Sequence, residues 1–136
     1  VSVISPITNG EKQMLIDIGH KIIKEERLPM PNKIKFLSPL AGIRRRLGTC
    51  IRRGVNDKYD ILIYTTFAQW FVDPNGKYIS SKTGQKLRRS SVGKSIPFEK
   101  IKKTFAHEIA HLKFWRHDSK HLSYTNYILG KINEAM

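Results

Sequence analysis

Apolar residues recur with a helical period near the start of the chain. Met14, Leu15, Ile18, Ile22 and Ile23 fall on one face at 3.6 residues per turn. Thr8-Asn9-Gly10-Glu11 precedes them, with a threonine N-cap and a glutamate three residues on, which is the capping-box pattern. A first helix is therefore predicted to about Arg27. Leu28-Pro29-Met30-Pro31-Asn32 ends it, because proline cannot continue a helix and biases its predecessor towards an extended backbone.

The period then drops to two. Lys33–Leu37 alternates polar and apolar, Leu47–Arg52 is a shorter candidate strand, and Asp60–Thr66 (DILIYTT) is rich in β-branched and aromatic residues. Asn56-Asp57 is a predicted turn, and Asp73-Pro74-Asn75-Gly76 is a stronger one. The edge of the sheet is expected at about Ile61–Trp70, where free backbone groups could pair with an extended peptide.

Helical spacing returns after Pro97, with Ile101, Phe105, Ile109 and Leu112 as a buried stripe. Asp118 is a predicted cap for a third helix over roughly Ser119 to Asn133, with Leu122, Leu129 and Ile132 inward. Phe114 and Trp115 are expected in the core, and Trp70 and Phe71 in core or edge-strand packing. The order helix, strands, helix, helix predicts an α+β domain with a short three- to four-stranded sheet.

Composition narrows the class. At 136 residues the chain is expected to form one compact domain. A single cysteine, Cys50, excludes an internal disulfide and a CxxC zinc ribbon, and it reads as a small buried strand residue. No apolar run is long enough to span a bilayer, and VSVISPITNG lacks the apolar stretch of a signal peptide. The expected setting is intracellular, cytoplasmic or nucleoid/nuclear rather than secreted, without a membrane and with a monomer favoured.

Charge adds a partner. Lys and Arg number 25 against 11 Asp and Glu, a net +14 that attracts polyanions, nucleic acid first among them. Candidate phosphate contacts are Arg44, Arg45, Arg46, Arg52 and Arg53 around one strand. Lys77, Lys82, Lys86, Arg88, Arg89 and Lys94 add to them in a basic surface loop at about 74–96, which contains no acidic residue. Tyr78, Trp70 and Phe71 could stack on unpaired bases.

Residues 107–111 carry the chemistry: His-Glu-Ile-Ala-His. On a helix, positions i and i+4 share a face, so His107 and His111 can hold one metal ion together. Zinc would acidify a water there, and the Glu108 carboxylate can accept its proton as it attacks a carbonyl. A catalytic zinc takes three protein ligands and keeps one position open. His117 and His121 are the candidates for the third. A straight helix would put His117 about 80° from the direction of His107, so the helix must end or bend after His111. Asp118 as a new cap supplies that break and favours His117, with His121 as alternative or fourth ligand. His20 is expected to be exposed on the first helix. Tyr124 and Tyr127 could donate to an oxyanion, though packing is the expected use.

HEIAHLKFWRHDSKH resembles the HExxH-x5-HD signature of the WLM and YgjP-like metallopeptidases, in which the later histidine is the third zinc ligand. RRRLGTCIRR followed by DILIYTTF is similar to the strand region that precedes the HExxH helix in SprT-like domains. The resemblance covers roughly residues 9–134 and implies a zincin-like fold and a zinc metallopeptidase. Members of the SprT and WLM groups degrade proteins crosslinked to DNA, which implies a DNA-associated protein or peptide substrate here. The SprT pattern sets its third histidine in a Gly-His-Gly segment that this chain lacks. The alternative is a nucleic-acid-binding module whose zinc is structural or whose peptidase site is vestigial.

Overall fold

A computed structural model describes residues 6–37, 47–53, 58–66, 71–72, 78–79 and 95–136. The first helix, α1, runs Asn9–Glu25. Both halves of its capping box form: the Thr8 hydroxyl accepts from Glu11 N at 3.1 Å, and the Glu11 carboxylate accepts from Thr8 N at 2.9 Å. These bonds satisfy donors that a helix start otherwise leaves unpaired.

Three strands follow, β1 (Lys33–Leu37), β2 (Gly48–Arg53) and β3 (Lys58–Tyr64), in the sheet order β1-β3-β2. β1 is parallel to β3 and β2 antiparallel to it, with Ile34 opposite Ile61 and Cys50 also opposite Ile61. The sheet is thus mixed and three-stranded. Two short strands, β4 (Phe71–Val72) and β5 (Tyr78–Ile79), pair antiparallel as a separate ribbon. The predicted turns at 56–57 and 73–76 lie outside the described residues.

α2 spans Phe98–Ala110 after Pro97, and α3 spans Ser119–Ala135. Asp118 caps α3 as expected, its carboxylate accepting from His121 N at 3.0 Å. Ile61 and Ile63 of β3, Phe105 and Ile109 of α2, Leu15 and Ile23 of α1, and Ile128 and Ile132 of α3 are fully buried and meet in one core. The chain is therefore α+β, with α2 packed on a mixed three-stranded sheet and α1 and α3 packed against α2 and each other. Among the described residues, no helix is long and apolar enough to cross a membrane.

Several expectations are corrected. The edge is not Ile61–Trp70: β3 is the central strand, and β1 and β2 flank it. The near-continuous apolar run of β3 reflects burial on both of its faces, which does not reveal whether its two edges are paired. Met14 is 46% exposed, Leu122 61% and Trp115 43%. The inward face of α3 is His121, Tyr124, Thr125, Ile128 and Ile132. Two buried polar residues set that face, so counting apolar positions alone turned it by one residue.

Two glycines permit close packing. A Cβ on Gly48 would stand 2.8 Å from Thr104 Cγ2, so β2 lies directly against α2. A Cβ on Gly19 would press on Phe105 Cζ and come within 2.9 Å of Cε2. The Phe105 ring has no exposed area and stacks edge-on with Phe36 at 5.6 Å, so it has little room to yield. Gly19→Ala gains about 0.5–1 kcal/mol of helix propensity and incurs roughly 1–3 kcal/mol of overpacking. Net destabilisation is expected in urea unfolding. An unchanged or raised midpoint would show that the ring can move.

Candidate metal centre

α2 delivers the three residues of the motif, and the turn after it delivers the rest. The helix stops at Ala110, with His111 as its C-cap. Leu112 N then bonds Ile109 O at 3.0 Å and Lys113 N bonds Ala110 O at 3.1 Å, a tightening to three-residue turns that takes the chain off the helix axis. Asp118 restarts it as α3. This is the break that the spacing of His117 required.

The break returns both later histidines to the pair on α2. His107 Nε2 lies 3.2 Å from His111 Nε2 and 3.1 Å from His117 Nε2. The rings of His111 and His121 stack with centroids 4.1 Å apart. Ligand atoms of His107, His111 and His121 all lie within 4.8 Å of one another, so these three can hold a metal ion. All four imidazoles therefore gather at one place.

Their other ring nitrogens distinguish them. His111 Nδ1 meets the Phe114 carbonyl at 3.3 Å. A carbonyl only accepts, so the proton sits on Nδ1 and Nε2 keeps a lone pair facing the cluster. His121 is reversed: its Nε2 donates to the His107 carbonyl at 3.0 Å, which leaves Nδ1 as its only free donor to a metal. His121 is 2% exposed, whereas His117 is exposed on the outer side.

Glu108 is buried, and its Oε1 stands 4.0 Å from His107 Nε2 and 3.8 Å from His111 Nε2. Those separations exceed a hydrogen bond. Burial, followed by repulsion from the neighbouring imidazoles, holds both His107 and His111 down to about 4, in His111 against the opposing pull of the Phe114 and Trp115 backbone. Burial lowers His121 as well. At neutral pH His107 and His111 therefore present uncharged imidazoles, the form that binds metal.

In the unfolded chain, histidine takes up a proton near pH 6.5, whereas folded His107 and His111 resist it until about 4. The unfolded state then binds more protons, so stability present above pH 6.5 is lost as the pH falls towards 4. In chelator, the urea midpoint is expected to drop between pH 7 and pH 4.5. A constant midpoint would contradict this burial.

A cleft of about 970 Å³ opens over the cluster, walled by α2 on one side and by Leu47, Gly48, Thr49 and Cys50 on the other. Trp115 and Leu122, expected in the core, line this cleft instead. The Cys50 thiol also lines it and is pushed up to about 12 by burial and by the Glu108 and Asp60 carboxylates, so it stays protonated. Lys100 and Lys103 line the α2 wall. Sequence reasoning did not single them out, although they precede His107 by seven and four residues and so share its helical face.

The remaining candidates divide. Arg52 lies over the Trp115 ring, 6.0 Å from its centroid, and Arg53 ends β2. Arg44, Arg45, Arg46, Lys77, Lys82, Lys86, Arg88, Arg89, Lys94 and Trp70 lie outside the described residues, as does most of the 74–96 loop. His20 is exposed on α1. The Tyr124 and Tyr127 hydroxyls donate to the Glu26 carboxylate at 3.0 and 3.2 Å, so they tie α3 to the end of α1. No family model, curated protein or solved structure matches the chain.

Proposed function

We propose that this chain is a zinc-dependent endopeptidase of zincin-like fold, in which His107, His111 and His117 hold the ion and Glu108 is the general base. The observation that carries this reading is the convergence of three Nε2 atoms, 3.1 and 3.2 Å apart, beside a buried carboxylate in an open cleft. Nitrogens bound at 2.0–2.1 Å to one tetrahedral zinc stand about 3.3–3.4 Å from each other. An all-imidazole donor set also suits zinc among the first-row metals.

A zinc ion held there would supply Lewis acidity, lowering the pKa of water to about 7 and polarising a peptide carbonyl. In this reading Glu108, whose Oε1 stands 4.0 and 3.8 Å from His107 and His111 Nε2, would take a proton from the attacking water and return it to the nitrogen of the broken peptide bond. His111 is oriented by the Phe114 carbonyl. His121 ties α3 to the His107 carbonyl and so fixes the backbone that bears the ligand. Among the described residues β2 pairs with β3 alone, leaving its outer edge beside the cleft to receive an extended peptide.

DNA-associated or DNA-crosslinked proteins are the proposed substrates, on the strength of the +14 charge and the SprT/WLM resemblance. The test is digestion of a DNA-binding protein by the zinc-loaded chain, with and without single-stranded DNA and with Glu108→Gln as control. Fragments that require Glu108 and increase with DNA support both parts. Fragments indifferent to DNA remove the DNA part. No fragments would favour a nucleic-acid-binding module with a structural zinc.

A further inference from the structure

The cleft has a direction that can be read from three contacts. A Cβ on Gly48 would meet Thr104, and the Arg52 guanidinium stands over Trp115. Cys50, midway between them, feels the Glu108 carboxylate. β2 and α2 therefore run the same way along the two walls of the cleft. A peptide pairing antiparallel with the outer edge of β2, the more stable of the two pairings, would point its N-terminal half towards Trp115. Its C-terminal half would pass Thr104, Lys103 and Lys100.

Those two lysines lie one and two helical turns before His107, on the face that lines the cleft. At 1.5 Å per residue they precede His107 by about 6 and 10.5 Å along the axis. An extended chain advances about 3.3 Å per residue, so these distances correspond to about two and three substrate residues. Among the described residues that line the cleft, the acidic one is Glu108, which is buried. Arg116 adds positive charge at the opposite end.

We infer that the cleft selects peptide segments bearing an aspartate or glutamate two or three residues C-terminal to the bond cut, with Lys103 and Lys100 holding the carboxylate. This rests on the peptidase reading above and narrows its substrate class. It assigns to the catalytic cleft an acidic segment, even where the protein being cut is basic elsewhere. A nucleic-acid strand is the other polyanion that could use these lysines. It would fill the channel that the peptide needs, so on this reading DNA contacts lie away from the cleft.

The test uses the full chain with Glu108→Gln, loaded with zinc so that binding is measured without turnover. Fluorescent peptides carrying Glu pairs are compared with their Gln isosteres by anisotropy. The Glu peptide is expected to bind about tenfold tighter at low salt, with the gap closing as salt screens it. Lys103→Glu, at an exposed position, is expected to reverse the preference. Cut sites made by the wild-type chain in an unfolded acidic protein should show Asp or Glu two or three residues after the cleaved bond.

Equal affinity for the Glu and Gln peptides overturns the inference. So does an oligonucleotide whose affinity falls more than that of the peptide in Lys103→Glu. If the wild-type chain cuts nothing while the Lys103-dependent preference persists, hydrolysis fails and the carboxylate subsite stands.

Discussion

Replacing Glu108 by Gln is expected to leave the metal content of the protein unchanged and to remove peptide hydrolysis, by a factor of about 10²–10⁴ or more. The factor is that of a positioned general base. Glutamine keeps the size of the side chain and its hydrogen-bonding oxygen but cannot accept the water proton. Glu108 is 4% exposed on the inner side of α2, with Oε1 about equally distant from His107 and His111 Nε2 at 4.0 and 3.8 Å. It stands next to the nitrogens without being one of them, so its loss separates chemistry from binding. Metal stoichiometry by elemental analysis and initial rates on one peptide would be measured together. Retained hydrolysis in Glu108→Gln would dismiss the mechanism. Lost metal would make Glu108 a ligand.

The second large effect separates His117 from His121. His117→Ala is expected to weaken metal retention by more than the roughly 10–100-fold that loss of an outer partner of a ligand costs. His117 is exposed, so the metal-free protein should keep its stability. His121→Ala should show the opposite balance. It removes the 3.0 Å bond to the His107 carbonyl from a site that is 2% exposed, at about 1–3 kcal/mol of stability. Metal affinity should fall only by the outer-partner factor. Competition against a chromogenic chelator, paired with thermal unfolding in chelator, reads both. If His121→Ala loses metal as fully as His117→Ala, the ion is held by His107, His111 and His121, whose ligand atoms also lie within 4.8 Å of one another.

Much of the frame was legible because its signals are local. The capping box at Thr8 and Glu11, the Asp118 cap and the Pro97 start each depend on residues within one turn. The alternation of Lys33–Leu37 gave β1 its bounds in full. His107 and His111 share a face by helical arithmetic, and arithmetic also required the break that the chain makes at His111. Lys100 and Lys103 were within reach of the same arithmetic once the face bearing His107 was recognised as a cleft wall.

What escaped depended on partners distant in sequence. β3 is central only because β1 and β2 both choose it, and no property of DILIYTT by itself says how many neighbours it has. Leu122 and Trp115 are apolar, and hydrophobicity sent them inward. The interior at those positions is taken by His121, Tyr124 and Thr125, whose polar atoms find partners on other turns or elements. The sequence by itself determined the three helices, the three strands of the mixed sheet to within a few residues, and the histidines of the candidate metal centre, since those follow from periodicity, capping and spacing along one element. The tertiary structure decided which strand edge borders the cleft, which way the cleft runs and which nitrogen of each histidine faces the cluster. These depend on how α2, α3 and β2 pack, and packing is settled by shape and hydrogen-bond satisfaction across the whole core.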